Sequence, residues 1–161
     1  MLALKLGLSL VSTPILGGWS PDDETSLEAW YQNAVGITLN GSDVSAWADS
    51  SSNSNDMVQA ATAGEQPAYS GGTLTFVSAD DNNLQTAGQI SLTADFTLGL
   101  RINTSTTNGA FLADNTSANE FFKYSGATSN RIAFKIAGSG STNLDLDSGT
   151  FGDDYLVITR V

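Results

Sequence analysis

Apolar residues in this chain recur at every second position in short runs, and nowhere at the three-and-four spacing of a helix for more than a turn or two. Period two is the spacing at which a β-strand turns its side chains to one face, so the pattern commits most of the chain to half-buried strands. Runs of this kind stand at 26–32, where Leu27, Ala29 and Tyr31 share one parity, at 35–39, and at 44–49, where Val44, Ala46 and Ala48 do. Others stand at 73–77, 95–102, 110–113, 120–124, 131–136, 143–147 and 154–160. Turn residues separate them: Asn40-Gly41, Gly71-Gly72, and the Ser- and Asn-rich stretch 50–56, whose composition predicts a mobile surface loop. Charged side chains make up only 14% of residues, about half the usual share. Thr, which suits strands, and Ser, Asn and Gly, which suit turns, take their place. With 161 residues, 40% of them hydrophobic, the chain can build one domain with one core. No repeat of fixed period is present, which disfavours propellers and solenoids. The expectation is an all-β protein with little helix.

Residues 1–18 form an arm with a pattern of its own. Leu2, Leu4, Leu6, Leu8 and Leu10 fall at strict period two, with Ala3, Lys5, Gly7 and Ser9 between them. As a strand, this segment gathers its leucines on one face and small or charged groups on the other. Lys5 lies inside the apolar run instead of ahead of it, which argues against a secretory signal, and Lys5, Ser9, Ser12, Thr13 and Pro14 interrupt it too often for a membrane span. Two readings remain: the first strand of the domain, or a tether that adds its strand to a neighbouring subunit. Pro14 and Gly17-Gly18 isolate the arm and favour the tether. Residues 19–25 read as a linker, in which Trp19 could plug a pocket on a partner or on its own domain. Leu2, Leu4, Leu6, Leu8, Leu10 and Trp19 are the predicted partner-anchoring residues, and 26–161 the body.

Composition removes whole classes of chemistry. The chain has no Cys and no His, which excludes disulfides, thiolate nucleophiles, cysteine zinc sites and the commonest general base. A formal net charge of −11, with six scattered basic residues, makes nucleic acid and anionic membranes poor partners. Serines have no histidine base and no Gly-x-Ser-x-Gly elbow, and no glycine run precedes a Lys-Ser or Lys-Thr pair as a phosphate cradle requires. Within the predicted strands Asp145 and Asp147 form the one acidic pair at i, i+2, opposite Leu144 and Leu146, as a solvated strand face does. The stretch from Asp145 fails as a calcium loop, because Thr150 and Leu156 stand where Gly and Glu are needed. Asp80, Asp81, Asn82, Asn83, Asp153 and Asp154 could offer oxygen ligands to Ca2+, but turn formation explains them without an ion. No metal site, cofactor or catalytic residue is assigned.

Four motifs follow in order: Ser26-Leu27-Glu28-Ala29-Trp30-Tyr31, Val44-Ser45-Ala46-Trp47-Ala48-Asp49-Ser50-Ser51, Glu65-Gln66-Pro67-Ala68-Tyr69 and Leu74-Thr75-Phe76-Val77-Ser78-Ala79-Asp80-Asp81. The series resembles the laminin-G-like, concanavalin-A-type jelly-roll domains of tailed-phage virion proteins, those of cyanobacterial phages in particular. The resemblance covers roughly residues 26–161. It implies an antiparallel two-sheet jelly-roll sandwich, with Trp30 and Trp47 in the core and Asp80-Asp81 in the loop after a core strand that carries Phe76. Domains of this family usually continue past the strand matching 155–160 into a further hairpin and closing strand, whereas this chain stops at Val161. A shortened variant, a strand supplied by a partner, and a piece of a longer protein each fit that departure. β-Glucanases share the fold, but the Glu-x-Asp-x-x-Glu strand that carries their acids is missing here.

The functional expectation is a non-enzymatic bacteriophage structural protein located in the virion, a capsid decoration subunit anchored by its arm to capsid or other virion proteins, with self-association open. The alternative is a carbohydrate-binding adhesion module on a tail fibre or secreted protein, with Trp19, Tyr69, Tyr124 and Tyr155 as candidate rings for stacking on a polysaccharide.

Overall fold

The computed structural model describes residues 18–90, 92, 95–103, 109–114, 121–124, 131–135, 142–145 and 153–161. The described chain is all-β, its strands paired antiparallel throughout, with only three-residue 3-10 turns as helical structure. The arm residues Leu2, Leu4, Leu6, Leu8 and Leu10 lie outside the described residues.

The first sheet is built around β2 (Asp43–Trp47). β1 (Ile37–Asn40) pairs with one edge of it through a two-residue turn closed by Asn40 and Asp43. Gly41 takes the first turn position at φ +67°, the left-handed conformation that a type II′ hairpin assigns to glycine. The register slips between Thr38 and Leu39 because Ser45 is an extra residue in β2, and its hydroxyl donates to the Thr38 carbonyl at 3.2 Å. On the other edge of β2 lie β3 (Met57–Val58) and β4 (Ala68–Ser70). β5 (Thr73–Thr75) folds back on β4 across Gly71 and Gly72, at φ +58° and +82°, as both central residues of a type I′ turn require. β6 (Gln85–Thr86) completes the order β5-β4-β2-β3-β6, with β1 beside β2. Val44, fully buried, sits at the centre.

The rest of the chain makes two further sheets. β7 (Phe96–Ile102) pairs with β12 (Asp154–Arg160) over seven consecutive residues without a bulge. Between them in sequence, β8 (Gly109–Ala113), β9 (Phe121–Tyr124), β10 (Arg131–Lys135) and β11 (Thr142–Asp145) form a meander. Its core is aromatic: Phe122 stacks on Phe134 at 6.0 Å between ring centroids, and Phe111 meets Tyr124 at 5.4 Å. Phe96 on β7 meets the same Phe122 edge-on at 6.3 Å and so joins the ribbon to the meander. Ile132, Ala133 and Ile158 are buried alongside.

The strands predicted from residue 95 onward appear within two residues of their predicted bounds. Three expectations need correction. Residues 26–32 alternate like a strand but form none, because side chains from the following loop take up their backbone groups, as detailed below. Phe76 lies beyond the end of β5 and is 53% exposed, so it does not sit on a core strand. Trp30 and Trp47 are half-buried: Trp47 ends β2 between Ile37 and Met57, and Trp30 lies outside any strand with its N–H on Asp49.

Candidate functional site

Asp49, just past β2, holds the best-ordered polar cluster. Its Oδ1 accepts the backbone N–H of Trp30 and of Ser51, both at 2.8 Å, and its Oδ2 accepts the Ser51 hydroxyl at 2.7 Å and the Asn55 N–H at 3.0 Å. The Asp49 N–H itself donates to Asp56 Oδ1 at 2.9 Å. Asn53 and Asn55 reach back from the loop, and their side-chain amides donate to the carbonyls of Leu27 and Glu28 at 2.6 and 2.7 Å. Ser50 N–H donates to the Trp30 carbonyl at 2.8 Å, and the Tyr31 hydroxyl donates to the Asn55 carbonyl. Trp47 Nε1 is shared between the Gln32 and Val35 carbonyls at 3.1 Å each, with its ring 5.6 Å from that of Tyr31. The loop at 50–56, expected to be mobile, is therefore stapled to residues 27–31.

Electrostatics fit a structural role for this cluster. Partial burial works against the Asp49 charge, yet the hydrogen bonds from Ser51, Trp30 and Asn55 outweigh it and hold the carboxyl below its ordinary range. Burial, reinforced by the charges of Asp49 and Asp56, pushes the Tyr31 phenol up to about 12. A carboxylate held this way stays charged and such a phenol stays neutral near neutral pH, the states in which their hydrogen bonds hold the loop.

A second cluster is made of amides. Gln59 and Gln66 are buried, and Gln66 Nε2 donates to the Gln59 carbonyl at 2.6 Å while its Oε1 accepts Asn40 Nδ2 at 3.0 Å. Gln59 Nε2 donates to Glu65 Oε2 at 3.2 Å and to Asn83 Oδ1 at 2.9 Å. Asn82 Oδ1 accepts the Val77 N–H at 2.9 Å, its Nδ2 donates to the Gln66 carbonyl at 3.2 Å, and the Val44 N–H donates to the Pro67 carbonyl at 2.8 Å. The second motif thus supplies β2, the third pairs with it through Pro67 and Ala68, the first bonds to Asp49 just past its end, and the fourth joins the third through β5. Beside this cluster opens a cleft of about 580 Å³, walled by Val58, Ala60, Ala61 and Thr62 with Glu65 and Gln85 at its polar side. Among the described residues its lining holds no aromatic ring on which a sugar could stack and no basic group for an anion. The amide network escaped the sequence reading because Gln and Asn between turn residues look like turn formers. Gln66 beside Pro67, both ending up buried, is the one local signal for it.

The oxygen-ligand candidates lie apart. Asp81 caps a 3-10 turn at φ +53°, and the Asn82 and Asn83 oxygens accept protein donors. Asp153 is held by Arg101, whose Nε and Nη2 reach its two oxygens at 3.0 and 2.8 Å. That ion pair lowers the Asp153 carboxyl and raises the guanidinium. Among the described residues no three His, Cys, Asp or Glu side chains gather as a metal site. Asp147 and the Asp145 side chain lie outside what is described.

Three features mark the surface. Residues 18–100 carry eleven acidic side chains and no lysine or arginine, so the first sheet is one-signed. On the outer face of the β7–β12 ribbon, Tyr155 is 75% and Val157 67% exposed, with the Arg101 guanidinium 5.6 Å from the Tyr155 ring centroid. Trp19 stands 72% exposed at the root of the arm.

Comparison with family models, curated proteins and solved structures finds no match to the chain. What can be said of function rests on the residues and their arrangement.

Proposed function

We propose that this chain is a non-enzymatic phage virion protein, a capsid decoration subunit whose N-terminal arm anchors it in a neighbouring subunit and whose body, a jelly-roll sandwich, projects from the particle. The observation that carries this proposal is the contrast between arm and body. The arm offers five leucines at strand period and one charge, while the body, reached through a linker that exposes Trp19, ties Asp49, Gln59 and Gln66 into its own scaffold. The resemblance of the four motifs to phage virion domains points the same way. Deletion of residues 1–18 is expected to abolish co-sedimentation with particles of the phage that encodes the chain and to leave a soluble β-domain. Full occupancy by the truncated chain would refute the tether.

One observation favours a second reading, a glycan-binding module. Tyr155 is open to solvent beside the Arg101–Asp153 pair, a combination of ring face and hydrogen-bonding groups that suits a sugar. Titration of the full chain with capsular or cell-wall polysaccharide, followed by Tyr155→Ala, tests it: the reading requires binding that the substitution removes.

A further inference from the structure

Among the described residues β7 and β12 form a sheet of two strands. A two-stranded ribbon is marginal in water unless a third strand or a packed layer supports it. Its inner face carries Leu98, Leu100, Ile102 and Leu156, all still partly exposed, and only Ile158 in that row is buried. Among the described residues β7 is the one strand paired with β12. The two outer edges, unpaired among the described residues, differ. β7 is interrupted by Gly99 and the charged Arg101, whereas β12 presents Tyr155, Leu156, Val157, Ile158 and Thr159 in succession, with no glycine, proline, internal charge or bulge. Proteins usually blunt a strand edge with just those devices, and an edge lacking them is a template for another strand.

We propose that the free edge of β12 receives residues 2–10 of a second copy of this chain, so that neighbouring subunits are linked by exchanged arms. The inference rests on the tether reading above in holding that residues 1–18 act outside their own domain, and it names the partner. The fit is chemical. Nine arm residues extend about 30 Å at the rise of a strand, enough to cover all seven residues of β12. With Leu2, Leu4, Leu6, Leu8 and Leu10 on the inner side, the arm continues the apolar row of Leu156 and Ile158 and leaves Ala3, Lys5, Gly7 and Ser9 on the outer face. Lys5 is the only charged side chain of the arm, so the arm would reach the uncharged stretch Tyr155–Thr159 with one charge on its outer face and none among its leucines. Trp19, exposed at the root, and the Pro14 and Gly17-Gly18 breaks let the arm leave its own domain.

A cysteine-free chain makes the test direct. Full-length single-cysteine variants at outer-face arm positions, Lys5→Cys and Ser9→Cys, are each mixed with Val157→Cys or Thr159→Cys and oxidised mildly. The expected result is a disulfide-linked heterodimer in at least one pairing, exceeding by about ten-fold or more the yield with Ser42→Cys at the distant β1–β2 turn, because exchange holds the thiols at high effective concentration. Linkage no better than with Ser42→Cys overturns the proposal, as does a double variant that closes only within one chain. Sedimentation equilibrium of the unaltered chain gives an independent readout: a concentration-dependent dimer or ring is required, and a monomer at every concentration refutes it. No particles are present in either experiment. Exchange in solution without particle binding would remove the decoration proposal alone, and particle binding by a chain that stays monomeric would remove this one alone.

Discussion

Replacing Asp49 by alanine removes one carboxylate and strands the N–H groups of Trp30, Ser51 and Asn55 together with the Ser51 hydroxyl. Hydrogen bonds to a charged acceptor contribute about 1.5–3 kcal/mol each. The site is half-buried, so water replaces part of what is lost and the terms do not add. The expected cost of Asp49→Ala is therefore about 2–4 kcal/mol, and that of Asp49→Asn, which keeps one acceptor oxygen, about half as much. Urea unfolding followed by tryptophan fluorescence is a suitable assay, since Trp30 and Trp47 flank the cluster. At a slope of about 2 kcal/mol per molar urea, the middle of the usual range, the midpoint of the alanine variant falls by about 1–2 M. The pH profile adds a signature. Because the folded carboxyl lies below its ordinary value, its stabilisation is present above the unfolded pKa and is lost as pH falls through the folded one, so Asp49→Asn should flatten the acid limb below about pH 4. An alanine variant with an unshifted midpoint would refute the view that this carboxylate staples loop 50–56 to residues 27–31.

Tyr31, raised to about 12, keeps its proton in the folded protein after an unfolded tyrosine loses it near 10, so its contribution is complete below pH 10 and disappears between 10 and 12. Absorbance at 295 nm should show a late tyrosine ionisation, and Tyr31→Phe should remove that step. Ile132→Ala, at a site 1% exposed between β9 and β11, is expected to cost about 2–5 kcal/mol by calorimetry or urea midpoint. Gly36→Ala places a methyl 2.8 Å from the Ala48 Cβ at φ +71°, and a loss of about 1–3 kcal/mol is expected; a neutral result would show that the 34–37 turn shifts freely.

How much of this was legible in the sequence depends on the length of each element. The seven-residue strands β7 and β12 declare themselves because Leu98, Leu100, Leu156 and Ile158 repeat the period several times. β3 and β6 have two residues each, too few for any period, and β4 was hidden because Ala68 and Ser70 are as common in turns as in strands. At 27–31 the alternation of Leu27, Ala29 and Tyr31 is real, but Asn53, Asn55 and Asp49 compete successfully for the backbone, an outcome set by side chains more than twenty residues away in most of these contacts. Phe76 reads as core by its type and falls instead on the connection after β5. Serine and asparagine were equally misleading at 50–56, where the composition of a loose loop forms an ordered staple. The candidate surface was half legible: Tyr155 stood out as a ring and the 155–160 strand as an edge awaiting a partner, while its pairing with β7 alone among the described residues came from the structure.

The claim at the centre of this account is that the arm holds the body on a particle. Cryo-electron microscopy of phage particles assembled with the full chain, and of particles assembled with residues 1–18 deleted, tests it most directly. Ordered β-rich density on the capsid surface is predicted for the first, with a strand running into a neighbouring subunit, and none for the second, whose folded body should stay in the supernatant. Equal density on both particles would contradict the account.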